Sequence, residues 1–222
     1  MSLLFVLIRT LHITCGMMAL FLAPAAMLAV KGGAAHRRWG RLYIWMMGIV
    51  AVTAMYMAVY RPVVFLGLVA IFSSYFAFSG YRKAVRKNRP PEALDWTATG
   101  LTMAGSVILI ALGLHPPAGQ FLPAPAVSIT FGIVGVVVTG IDVLRFLQLS
   151  DDEHKWMYLH MAGMLASYIA TVSAFSAVNF MFLPVILRWL WPTIVGVPGI
   201  FLWIAQRKRL MNNREHIGNA TL

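Results

Sequence analysis

Charged residues are scarce in this chain of 222 residues, because Asp, Glu, Lys and Arg together make up only 11% of it. A typical soluble domain is about a quarter charged and about half apolar, whereas here 60% of the residues are hydrophobic. A soluble domain of this length could not bury so much apolar surface. The composition therefore excludes an ordinary water-soluble protein and predicts that lipid surrounds most of the chain.

Cysteine is almost absent too, since Cys15 is the single one. One cysteine cannot form an internal disulfide, so the sequence indicates no redox compartment. The features of a secretory signal are also missing: no basic segment precedes the apolar residues 1–8, and the small residues 23–26 lie within a longer apolar run. We therefore expect the N-terminal segment to remain as the first membrane-spanning helix.

Seven apolar stretches are long enough to cross a bilayer as helices, which takes about twenty residues each. Backbone groups within lipid must bond internally, so separate long spans predict helices rather than strands. The sequence lacks long polar linkers, and we expect one domain over residues 1–222: an all-α polytopic membrane protein with seven transmembrane helices. The stretches are residues 3–30, 42–60, 62–81, 96–115, 126–147, 156–180 and 184–205.

Basic residues are concentrated in every second connection between these stretches. Cytoplasmic loops of membrane proteins carry an excess of Lys and Arg, so the pattern predicts an external N-terminus and a cytoplasmic C-terminus. The same rule accounts for the formal net charge of +11 without a nucleic-acid partner, and it favours anionic lipids as partners at the cytoplasmic face. The basic connections contain Lys31, Arg37, Arg38 and Arg41; Arg82, Lys83, Arg86, Lys87 and Arg89; Arg145 and Lys155; and Arg207, Lys208, Arg209 and Arg214.

Small residues form two adjacent rows along the sixth stretch. Small side chains let a second helix, or a flat cofactor, approach closely, and helix packing is the interpretation we favour. Just before this stretch, Ser150 and Glu153 have the spacing of a capping box, and Asp151 and Asp152 are then favourable charges at a helix start. The rows are Ala162, Ala166, Ala170 and Ala174, and Gly163, Ser167 and Thr171.

Ionisable side chains inside a bilayer are costly and are therefore candidates for function. Residues on different helices can meet only at similar depth, and a helix rises about 1.5 Å per residue, so the candidates divide into two groups. For Asp142 and Arg145 the simplest explanation is a local ion pair on one helix face. The inner group contains His36, Asp142, Arg145, His154 and His160, and the outer group contains Arg9, His12 and His115.

Haem is the first cofactor that these histidines suggest. Neutral imidazoles from two helices can bind the iron of a b-type haem from opposite sides. His36 with His160 could do so near the inner face, and His12 with His115 near the outer face. Two such sites would form a path for electrons across the membrane.

Three other functions remain open from the sequence. Transport of a proton, a metal ion or a small molecule would use polar residues that reach in from both faces. A zinc-dependent membrane hydrolase would use His36, Asp142 and His160, although the chain has no HExxH or HxxxH spacing. A non-catalytic subunit of a larger complex, with a membrane-protein partner, would need none of this chemistry.

The first two stretches carry a recognisable pattern of residues. It consists of His12, a lysine-glycine turn at residues 31–33, and His36 followed by basic residues, Gly40 and Tyr43. This pattern resembles a family of uncharacterised bacterial polytopic membrane proteins, a domain of unknown function, and residues 160–164 extend the resemblance more weakly. The resemblance implies a multi-pass protein of a bacterial inner membrane, with the family's histidine positions at His12, His36 and His160 and tight packing at Gly40. It implies no activity, and His115 and Asp142 are not part of the pattern.

Epitope tags at the two termini test the predicted orientation. An odd number of spans places the termini on opposite sides of the membrane, so an N-terminal tag should bind antibody in intact spheroplasts. A C-terminal tag should bind only after permeabilisation. Two tags that become accessible under the same condition would contradict the seven-span topology.

Overall fold

The structure, a computed structural model, describes residues 2–87, 89–148 and 154–220, with side chains as far as residue 210. These residues form seven α-helices and no strand, and each helix is long and apolar enough to cross a membrane. The all-α, seven-helix prediction is therefore confirmed. The helices are α1 (Leu3–Leu28), α2 (Ala34–Tyr60), α3 (Val64–Arg86), α4 (Ala93–Leu114), α5 (Pro125–Leu147), α6 (Lys155–Asn179) and α7 (Val185–Ala220).

Several helices extend beyond the apolar stretches that predicted them. Helix α2 begins at Ala34 rather than Leu42, and α3 ends at Arg86 rather than Tyr81. An apolar stretch marks where lipid begins, whereas helical hydrogen bonding continues through flanking Arg and Lys, which are good helix formers. Basic residues assigned to loops by composition therefore lie on ordered helical turns.

Side chains cap the starts of α1 and α4. At α1 the amide of Phe5 donates to the hydroxyl of Ser2 at 3.3 Å. At α4 a capping box joins Glu92 and Asp95, whose carboxylate accepts from the Glu92 amide at 2.9 Å. The capping box expected at Ser150 and Glu153 lies outside the described residues.

Helix α3 lies at the centre of the bundle, where it packs against α2, α4, α5 and α6. Helix α6 packs against α1, α3 and α7, while the backbones of α5 and α6 do not pack against each other within the described residues although these helices follow each other in sequence. Helix α3 accordingly contributes aromatic side chains to the core. Its Phe72 stacks on Phe131 of α5 with ring centroids 5.5 Å apart. Large apolar side chains elsewhere point outward, including Trp45 at 71% exposure and Phe201 at 70%, as expected where lipid is the solvent.

Two glycines set the approach of α3 and α6. A Cβ added to Gly163 would lie 2.7 Å from the Cα of Gly80, and one added to Gly80 would lie 2.9 Å from the amide nitrogen of Met164. Neither helix could come so close with a side chain at these positions. The row containing Gly163, Ser167 and Thr171 thus serves helix packing, as the sequence indicated.

Gly40, in contrast, is not a tight packing site. A Cβ built there would meet no atom within 4 Å. The expectation that the family resemblance attached to this residue is wrong, because α2 has no neighbouring backbone pressed against that turn.

Substitution of the crossing glycine should lower stability. Gly80→Ala places a methyl group against the backbone of α6, and overpacking of this kind costs about 1–3 kcal/mol. The matched control is Gly100→Ala on the exposed face of α4, where an added Cβ has no atom within 4 Å. Thermal unfolding in detergent should show a lower Tm for Gly80→Ala and an unchanged or higher Tm for Gly100→Ala; equal effects would contradict the role of the crossing.

Candidate functional site

The imidazoles of His36 on α2 and His160 on α6 face each other at one end of the bundle. Their ring centroids are 6.3 Å apart and their planes are nearly perpendicular, at 85°. The structure therefore brings together the two inner histidines that depth alone had grouped. Neither ring is fully buried.

Each ring is held by a backbone carbonyl at the same nitrogen. Nδ1 of His36 lies 2.9 Å from the carbonyl oxygen of Ala26, and Nδ1 of His160 lies 2.8 Å from that of Gly80. A carbonyl can only accept, so each Nδ1 carries the proton, and Nε2 of a neutral ring is left with a free lone pair. Within the described residues, no hydrogen bond uses either Nε2.

The local fold explains both carbonyl contacts. Ala26 lies in the last turn of α1, where carbonyls have no partner within the helix, and the turn at Gly32, with φ +74°, brings His36 back towards it. The carbonyl of Gly80 is within α3 and is reachable because no side chain at Gly80 or Gly163 separates the two helices. The glycine crossing therefore positions His160.

The same turn is anchored by Lys31, which lies outside the membrane-spanning helices. Its ammonium group donates to the carbonyl of Met27 and lies 5.3 Å from the ring centroid of Trp203 on α7. Burial against these neighbours lowers the pKa of Lys31, and repulsion from Arg207 lowers it further. The turn that leads into His36 is therefore held to α1 and also contacts α7.

Seven residues along α2 and α6 from the two histidines, hydroxyl groups of these helices come together. The Tyr43 hydroxyl lies 2.7 Å from that of Ser167 and 3.4 Å from that of Thr171. Thr171 in turn lies 3.6 Å from the sulfur of Met47. Sequence reasoning missed Tyr43 as a site residue; the signal was its seven-residue spacing from His36, which places both on one face of α2.

The outer candidates are not brought together. Nδ1 of His12 lies 3.0 Å from the Thr53 hydroxyl, which itself donates to the carbonyl of Ile49. His115 is the exposed C-cap residue of α4, and α1 and α4 make no contact in the described structure. Arg9 is exposed on α1. The expected outer haem pair therefore has no geometry to support it.

Asp142 of α5 is part of a buried ion pair with a partner that the sequence did not identify. The Lys83 ammonium lies 2.9 and 3.0 Å from the two carboxylate oxygens, and the Tyr75 hydroxyl donates to the same carboxylate at 2.7 Å. Arg145, the partner expected from the sequence, is farther away at 3.6 Å and is 38% exposed. Lys83 was counted among loop residues, but it lies within α3, one turn after Gly80.

A second ion cluster joins α3 to α4. Arg82 donates to both carboxylate oxygens of Asp95 at 2.9 Å and to Glu92 at 2.7 Å, and Arg86 lies 3.5 Å from Asp95. Such a two-point contact fixes the geometry of a guanidinium and a carboxylate. These carboxylates are therefore occupied by cations of the same bundle.

The inner group is thus divided between two neighbours of α3, the helices α6 and α5. Gly80 faces α6 and the histidine pair, whereas Lys83 faces α5 and Asp142; His154 is the N-cap residue of α6. The described residues contain no group of three or more His, Cys, Asp and Glu side chains that could hold a metal ion. The zinc set of His36, Asp142 and His160 therefore gains no support.

The N-terminal part of the chain matches a known protein family. Residues 9–98 match the family described as "Predicted membrane protein (DUF2306)", which confirms the resemblance noted in the first two spans. No curated protein and no solved structure matches the chain. The matched region includes His12, His36, Gly80 and Lys83, whereas His160 lies beyond it.

Loss of the Asp142 carboxylate should be strongly destabilising. Asp142→Asn leaves the Lys83 ammonium buried without a counter-charge, and breaking a buried pair in this way costs about 3–5 kcal/mol. Arg145→Gln is the control, because exposed ion pairs contribute about 0–1 kcal/mol. Unfolding in detergent should separate the two variants, and Lys83→Met combined with Asp142→Leu should recover stability. Equal losses for Asp142→Asn and Arg145→Gln would contradict this assignment.

Proposed function

We propose that this membrane protein binds one b-type haem between His36 and His160 and transfers electrons through it. The observation that carries the proposal is the paired geometry of the two imidazoles, 6.3 Å apart and each fixed at Nδ1 by a carbonyl. Histidines that bind metal donate their other ring N–H to a carbonyl or carboxylate in the same way. The free Nε2 atoms are the donors that haem iron uses.

The ring separation fits a metal ion bound by both histidines. An imidazole nitrogen lies about 2 Å from a bound transition metal, and about 1 Å from the centre of its own ring. Two rings on opposite sides of one ion therefore have centroids about 6 Å apart, which agrees with the 6.3 Å between His36 and His160. Ligation by two neutral imidazoles and no carboxylate favours haem iron over a zinc ion, which takes about three protein ligands.

The surroundings of His36 are compatible with a large flat cofactor. The backbones of α2 and α6, which carry the two ligands, make no direct contact in the described part of the chain. One turn from His36, a Cβ at Gly40 would have no neighbour within 4 Å. Arg37, Arg38 and Arg41 follow in the same turns and offer positive charge to the two propionates of a haem.

Proton transfer is a second candidate, favoured by the hydroxyl line of Tyr43, Ser167 and Thr171. Hydroxyl groups both donate and accept, so such a line can relay a proton between α2 and α6. Polar residues within a membrane are typical of proton relays. The two candidates differ in whether the imidazoles hold iron.

The absorption spectrum of the purified protein tests the proposal. Protein expressed with added haem precursor should show a Soret band and, after reduction with dithionite, the sharp visible bands of six-coordinate haem. His36→Ala and His160→Ala should each lose most of the bound haem, because one axial ligand is removed in each case. His115→Ala, a histidine at the exposed end of α4, is the matched control and should retain the spectrum.

Two results would contradict the haem proposal. The first is a colourless wild-type protein that stays colourless when haem is added during purification. The second is a haem spectrum that is unchanged in both the His36 and the His160 variants. A colourless, folded protein would leave proton transfer as the candidate function.

A further inference from the structure

A strongly basic cavity lies beside the Lys83 and Asp142 pair, near the end of α3. It has a volume of about 70 Å³, several times the space that one water molecule needs. It opens where the ends of α3 and α5 meet the start of α6. Six cationic side chains line it: Lys83, Arg86, Lys87, Arg89, Arg145 and Lys155.

The described carboxylates near the cavity do not balance this charge. Asp142 is the one acidic residue of the lining, and it is bonded to Lys83 at 2.9 Å. Asp95 is not part of the lining, and both of its carboxylate oxygens accept hydrogen bonds from Arg82 at 2.9 Å. The remaining cations therefore share a site that lacks an equal number of anions among the described residues.

Arg86 supplies the most direct sign of a missing partner. Its side chain is only 10% exposed, and its buried Nε has no hydrogen-bond acceptor within the described residues. A buried donor without a partner costs about 1–3 kcal/mol. The weak 3.5 Å contact of Arg86 with Asp95 uses Nη1 and leaves Nε free.

We infer that this cavity is a binding site for a phosphate group, carried either by an anionic lipid headgroup or by free phosphate. Arg and Lys donors on several sides match the three or four oxygens of a phosphate. Basic pockets between transmembrane helices at the cytoplasmic side bind anionic headgroups, and the cavity lies at the end of the bundle where the basic connections are. Trp156 in the lining, with the Lys87 ammonium 5.8 Å from its ring centroid, adds an aromatic wall.

The general excess of positive charge at this face does not explain the cavity. Charges that serve only to orient a membrane protein can extend into water, where they are solvated. Arg86 instead has a side chain that is 10% exposed, and its Nε has no acceptor within the described residues. A site that buries cations at helix ends needs an anion to offset the cost of removing them from water.

Native mass spectrometry of the full chain in detergent, after exchange into phosphatidylglycerol or phosphatidylcholine, tests this inference. Wild-type protein should retain one phosphatidylglycerol through washing and no phosphatidylcholine. Arg145→Gln combined with Lys155→Gln should weaken retention at least tenfold, because two of the six cations are removed. The matched control is Lys208→Gln combined with Arg209→Gln, which removes the same charge from exposed positions on α7 outside the cavity and should retain the lipid.

Inorganic phosphate separates the two sources of the phosphate group. If the ligand is free phosphate, it should raise the Tm of wild type above that in sodium chloride of equal ionic strength, and the Arg145 and Lys155 variant should lose this shift. If the ligand is a lipid, phosphatidylglycerol should remain bound when inorganic phosphate is added. Either result supports the site.

Three results would overturn the inference. One is the absence of both lipid retention and a phosphate-dependent Tm shift in wild type. Another is an equal loss in the cavity variant and the Lys208 and Arg209 control, which would indicate surface charge alone. The third concerns Asp151, Asp152 and Glu153, which lie outside the described residues: binding seen only after all three are neutralised would mean that the chain's own acids are the occupant.

Discussion

The close crossing of α3 and α6 at Gly80 and Gly163 is the contact on which the remaining arrangement depends. Because neither residue has a side chain, the two helices approach until a Cβ on Gly163 would lie 2.7 Å from the Cα of Gly80. This approach puts the Gly80 carbonyl within reach of His160. The backbone contact thereby positions one of the two imidazoles, while the turn at Gly32 and the Ala26 carbonyl position the other.

The architecture was predictable from the sequence because lipid imposes it. Seven long apolar stretches leave the backbone no alternative to helix within a bilayer, and the small residues of α6 correctly indicated close packing. The partner of Asp142 was not predictable in the same way. Lys83 belongs by composition to a basic connection, and only the continuation of α3 to Arg86 turns it inward towards α5. The pairing of His36 with His160 was a choice among depth-matched histidines, since no sequence pattern states which helices are neighbours.

The bundle meets the cost of polar groups in lipid in two different ways. Asp142 is enclosed by Lys83 and Tyr75, which together satisfy both carboxylate oxygens, so this pair is complete as it stands. The Nδ1 atoms of His36 and His160 are satisfied by carbonyls, whereas no hydrogen bond among the described residues uses their Nε2 atoms. A complete network stabilises the fold, whereas an open pair of donors is what a cofactor requires. Whether the hydrogen-bonding atoms of a residue all have partners, rather than the presence of ionisable residues alone, separates structural from functional candidates here.

The same reasoning applies to the basic residues at the end of α3. Topology explains why Lys and Arg are numerous at one face, but it does not determine which of them are buried. Arg82 is matched by Asp95 and Glu92, whereas Arg86, one turn along, keeps a buried Nε without an acceptor among the described residues. Charge that is both buried and unmatched destabilises a fold unless something else binds there. At the end of α3, Arg82 therefore has a full set of carboxylate partners, whereas Arg86 does not. Arg86 lines a cavity large enough for an anion.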